Sequence, residues 1–223
     1  MPVTTFFPDA NPETTSVDGV IERVVTEETW ATISGAADGT GAGDLDSSHE
    51  IRILSGPTTA DRWNRIARGI SLFDTASLPD GDDIDSATVE FVLISPITND
   101  FTDSLSLVLS TPASNTAIVT GDYDQLGTVK QATDVTLASL TADSATFNVM
   151  TLNATGRGNI TKTGVSKFGF RMAKDDATGP TWVASKNSLI TMASAEEVLA
   201  GDKRPKLVVT HTTPPFIPRA VVF

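Results

Sequence analysis

Short runs in which apolar and polar residues alternate recur at intervals of roughly ten residues, each closed by Gly, Pro, Asn or Asp. A period of two buries one face of a strand and wets the other, so the pattern predicts many short strands and almost no long helix. The clearest strand is RGISLF at 68–73. The turn LPDGDDI at 78–84 follows it, and then the strand ATVEFVLI at 87–94, which Pro96 ends. In that turn Pro79 fixes φ and Gly81 accepts a positive φ. Further strands are predicted at 104–110, 132–137, 146–149, 167–172, 188–192 and 206–210, with earlier candidates at 16–25 and 49–54. Two stretches predict a short helical turn: the residues around Tyr123, and 153–160, where Asn153 is a candidate N-cap. Gly156 and Gly158 argue against a long helix there. GAADGTGAG at 35–43 reads as a flexible loop, and no repeat of fixed period is visible.

The expected organisation is an arm at 1–15, one all-β sandwich domain at 16–212 and a Pro-rich apolar tail at 213–223. With 223 residues, the chain buries enough apolar surface to fold without disulfide or metal staples. It contains no cysteine, which removes disulfides, thiolate metal sites and cysteine nucleophiles together. Its net charge of −12 lacks the Lys/Arg footprint that nucleic acid or an anionic membrane surface requires, so neither is an expected partner. The opening residues MPVTTFFP carry no basic region or apolar stretch of signal-peptide length, and no run approaches a membrane span. The expectation is a product made in the cytoplasm without export by the usual signal.

Three segments in order carry a resemblance. RGISLFDTASLPDGDDIDSATVEF at 68–91 joins an Arg-led strand ending in Phe-Asp to a Leu-Pro turn and a Ser-Ala-Thr strand. FNVMTLNATGRGNI at 147–160, running into KFGFRM at 167–172, reads as strand, helical turn and strand, and RPKLVVT at 204–210 as a closing strand. Together they resemble the DNRLRE (disaggregatase-related) domain family over roughly residues 16–212. The resemblance implies a jelly-roll β-sandwich of antiparallel strands with one or two short helical turns. It also implies a module of cell-surface, secreted or viral proteins, some of them similar to carbohydrate-binding modules. The added apolar ends and the missing export signal make this chain most similar to stand-alone bacteriophage-encoded members. The expected role is therefore a non-enzymatic virion component, such as a capsid decoration, head fibre or tail protein, located in the virion. The alternative is a carbohydrate-binding module of an extracellular protein.

Candidate chemistry is sparse. The two histidines, His49 and His211, lie far apart in sequence and read as strand-end or surface residues. No Gly-x-Ser-x-Gly elbow is present, and no catalytic residue is assigned. Asp80, Asp82, Asp83 and Asp85 cluster in the turn after the first clear strand; they are either a calcium site, built from the carboxylates that hard cations prefer, or a solvated turn. Asp44 with Asp46 and the pair Asp175–Asp176 pose the same question more weakly. No other cofactor is expected. Trp182 and Tyr123, in turn-rich surroundings, are the candidates for stacking against a cell-surface glycan, although core packing also explains such aromatics. The ends carry the sharper expectation. Phe6 and Phe7 in the arm, and Phe216, Ile217, Val221, Val222 and Phe223 in the tail, are apolar where solvation is usual. They are candidate contacts with other virion proteins or with copies of this chain in a homo-oligomer, the competing reading being that the tail folds back on its own sandwich.

Overall fold

A strand of twelve residues rich in branched and aromatic side chains, Trp63–Asp74, forms the spine of the molecule. The computed structural model describes residues 1–214. Its strands are β1 (Val3–Phe6), β2 (Asp18–Glu28), β3 (Gly41–Gly43), β4 (Ser48–Ser55), β5 (Trp63–Asp74), β6 (Asp83–Val92), β7 (Thr98–Asn99), β8 (Ser104–Ser110), β9 (Leu126–Lys130), β10 (Val135–Thr136), β11 (Phe147–Thr151), β12 (Val165–Met172), β13 (Asn187–Ala193) and β14 (Lys206–Thr212). Two short helices, α1 (Trp30–Ser34) and α2 (Ala154–Gly158), interrupt them. One sheet has the order β1-β14-β6-β11. The other follows β10-β8-β12-β5-β4-β13-β7, with β2 beside β5, β3 beside β2 and β9 beside β8. Every named pairing is antiparallel.

The described residues form an all-β sandwich. Alternation fills the space between its sheets: Phe91 of β6 meets Phe170 of β12 edge-on at 5.5 Å, and both rings are buried. β5 also explains how the larger sheet divides. β2 keeps one edge of β5 from Arg65 to Ser71. The other edge is shared, because β4 pairs with it at 65–67 and β12 from Gly69 to Asp74. Gly69 stands at that fork, where a Cβ would lie 2.7 Å from the Cδ1 of Ile51 and 3.5 Å from the Cβ of Phe170. A side chain there would press on both diverging strands.

A buried guanidinium ties the loops at one end together. Arg68, 2% exposed, makes a two-pronged pair with Asp175 at 2.7 and 2.9 Å, and it also donates to the carbonyls of Tyr123 (2.7 Å) and Ser34 (2.8 Å). Arg171 reaches the same carboxylate at 3.1 Å and donates to the Gly127 carbonyl. The C-terminal end of α1 and the segments around Tyr123 and after β12 therefore converge on one ion cluster.

Several expectations are corrected. Residues 3–6 are no part of a free arm; they pair residue by residue with β14, because the β-forming run Val-Thr-Thr-Phe turns Phe6 into the core opposite Leu207. The strand expected at 132–137 shrinks to Val135–Thr136, followed by a single 3-10 turn. Trp30 opens α1, which Thr29 caps through its side chain. Both histidines lie next to a strand end, one of the two placements expected, but they are buried rather than superficial.

His49 sits with its Nδ1 3.7 Å from Asp18 Oδ2, at the start of β2. Burial pushes the Asp18 carboxyl well above the usual carboxylate range, and Glu196 and Glu13 add to the effect. Burial pushes the His49 ring down to about 3. The two signs oppose each other. A raised carboxyl contributes stability below its unfolded value that is lost as pH climbs through the folded value; a depressed imidazole contributes stability above pH 6.5 that is lost as pH falls. Asp18→Asn is accordingly expected to raise the melting temperature by a few degrees at neutral pH and to leave it nearly unchanged at pH 4, where the native carboxyl is protonated. Thermal melts of the two proteins at both pH values check this, and equal shifts at both would disprove it.

Candidate assembly site

The strand that closes the domain and the strand that opens it lie side by side, so the two ends of the described chain leave from one place. Register pairs Val3 with Thr210 and Phe6 with Leu207, and the His211 amide donates to the Pro2 carbonyl at 3.1 Å. Side chains lock this junction. The Nδ1 of His211 lies 2.6 Å from Asp82 Oδ2, and its Nε2 lies 3.1 Å from the Thr4 hydroxyl. A carboxylate only accepts, so Nδ1 is the donor in the first contact. Asp82 takes a second bond, from the Thr213 hydroxyl at 2.7 Å, and Asp85 accepts from Thr212 at 3.3 Å. These bonds, the His211 contact first, hold the Asp82 carboxyl below its ordinary range.

The four aspartates around the β5–β6 turn therefore divide between burial and solvent. Asp82 is buried and engaged with His211 and Thr213, whereas Asp80, Asp83 and Asp85 are exposed. Among the described residues no three His, Asp or Glu side chains gather in a metal-binding group. Two of the four anchor the last residues before the tail. Asp175, of the weaker pair, is taken by Arg68 and Arg171. Asp44 accepts from the Ile118 amide at 3.0 Å.

Thr4, His211 and Asp82 stand in the hydroxyl–imidazole–carboxylate order of a nucleophilic triad. Here the hydroxyl belongs to a residue paired within a strand, and the carboxylate spends its other oxygen on Thr213. The arrangement is a clamp across β1, β14 and the turn. Sequence reasoning missed it because 129 residues separate its two strongest partners and no local pattern links the aspartate to the histidine.

The aromatic candidates fare differently. Tyr123 is fully buried, with the Arg68 guanidinium 4.1 Å above its ring and its hydroxyl donating to the Ile33 carbonyl, so the expected exposure is corrected. Trp182 is partly buried against the core, and its indole N–H donates to the Arg62 carbonyl at 2.8 Å. Phe6 lies in the core, while Phe7 is partly buried, with the Arg204 guanidinium 4.4 Å over its ring. Phe216, Ile217, Val221, Val222 and Phe223 fall outside the described residues. Among the described residues, no helix is long and apolar enough to cross a membrane.

No protein-family model matches the chain, and no curated protein sequence matches it.

Proposed function

We propose that this chain is a non-enzymatic structural protein of a bacteriophage particle that assembles through its terminal junction, with copies of itself or other virion proteins as partners. The observation that carries the reading is the junction: the clamp of His211, Asp82 and Thr213 fixes the chain at Thr213, just ahead of the apolar sequence of residues 215–223, with β14 beside β1. A device that holds the root of an apolar segment suits a segment that engages a partner. The resemblance to phage-encoded jelly-roll domains supports placing that partner in a virion, as a capsid decoration, head fibre or tail component. The pronounced acidity suits a protein displayed at high local concentration.

Size-exclusion chromatography with light scattering on the full chain and on a chain ending at Pro214 tests the proposal. The full chain is expected to form a defined oligomer or to bind purified particles, and the shortened chain to do neither while keeping its melting temperature. Two identical monomers, both indifferent to particles, would sink it.

A further inference from the structure

We infer that residues 219–223 of one copy add a strand to the open edge of β1 in a second copy. The inference rests on the assembly reading above and gives it a partner and a mode.

The edge comes first. Among the described residues β1 terminates the four-stranded sheet and is paired on one side, by β14. With the Pro2 carbonyl turned to His211, the alternation of an antiparallel ladder turns Thr4 and Phe6 toward β14, and the N–H and C=O groups of Val3 and Thr5 outward. Both of those side chains are exposed as well, Val3 at 60%. The far edge of the same sheet is guarded: Asn148 of β11 exchanges two 2.8 Å bonds with the backbone of Thr141. An unguarded edge of β-forming residues is a template for another strand.

The sequence after Pro214 fits that template. Pro214, Pro215 and Pro218 cannot donate to a ladder, so the first run free of proline is RAVVF at 219–223, five residues against the four of β1. Its branched and aromatic side chains are strand formers. Arg219 is the only charged side chain from 214 onward, and it meets a neighbour whose net charge is −12. Geometry favours a neighbour over the chain's own edge. Pairing with its own β1 would demand that the chain turn straight back at the end of β14, which lies beside the start of β1, through a sequence with prolines at 214, 215 and 218.

Two variants separate donor from acceptor. A chain ending at Pro218 keeps the edge and lacks the strand. Thr5→Pro keeps the strand and removes an outward N–H, leaving the β14 ladder intact. Light scattering is expected to show an oligomer for the full chain, monomers for each variant alone, and a one-to-one pair when the two are mixed, since each supplies what the other lacks. A synthetic PPFIPRAVVF peptide is expected to bind saturably to the chain ending at Pro214, a readout that does not depend on how Thr5→Pro folds. Three results would overturn the inference: an oligomer of Thr5→Pro like the full chain's, a mixture that stays monomeric, or a peptide that does not bind. In the first case the assembly reading survives with a different acceptor surface. A full chain that is itself monomeric and ignores particles removes both.

Discussion

Asp175→Ala is expected to lower the unfolding free energy by about 3–5 kcal/mol, a loss of roughly 6–20 °C in melting temperature for a domain of this size. The intact cluster of Arg68, Arg171 and Asp175 contributes little net stability by itself, because desolvating these charges offsets most of their attraction. Removing the carboxylate is a different matter. It strands two guanidiniums, of which Arg68 is 2% exposed and stacked on Tyr123. Three segments lose their common anchor at the same time. Asp175→Asn keeps one acceptor oxygen and is expected to fall between the two. Urea unfolding of the three proteins measures the effect; an alanine variant within about 1 kcal/mol of the parent would mean that water reaches and solvates the arginines.

Two glycines in one short helix are expected to answer alanine with opposite signs. At Gly156 an added Cβ would sit 2.2 Å from the Gln131 carbonyl oxygen and 3.1 Å from the Leu152 Cβ. Neither backbone can yield easily, since Gln131 also accepts from the Asn153 amide at 2.9 Å. Gly156→Ala is expected to cost about 1–3 kcal/mol, the range for overfilling a packed site. At Gly158 a Cβ meets nothing within 4 Å, and alanine gains up to about 1 kcal/mol of helix propensity. Thermal melts of the two variants decide the matter. A stabilised Gly156→Ala would show that α2 docks less closely than its backbone contact indicates.

Those glycines also show what the sequence revealed and where it fell short. Reading Gly156 and Gly158 as helix breakers limited 153–160 to a short turn, and Asn153 caps it as expected through the Gly156 amide. The residue that makes Gly156 necessary, Gln131, lies on a distant segment that no local pattern announces. Strands with clean alternation were legible: 104–110 coincides with β8, and 68–73 and 167–172 fall inside β5 and β12. Short edge strands were not. β3 and β7 span three and two residues and are set by their neighbours rather than by their own pattern. β1 was hidden by its flanking prolines, Pro2 and Pro8, which read as an arm although they bracket a paired strand. At the junction, the apolar tail and the aspartates of the turn both stood out, yet only the fold joins them, through Asp82, Thr213 and a histidine that composition had marked as incidental.

The closeness of Pro2 and His211 has a mechanical corollary. A pull applied between the two ends of the domain runs across the β1–β14 ladder, along its hydrogen bonds, and opens them one at a time like a zipper. That direction is the weakest in which a sheet can be loaded. The contacts of His211 with Thr4 and of Asp82 with Thr213 lie at the mouth of the zipper, where the first opening would begin. Strain arriving through the tail alone enters at Thr213 and is passed by Asp82 into the β5–β6 turn, and so into the sandwich as a whole rather than into its outermost strand.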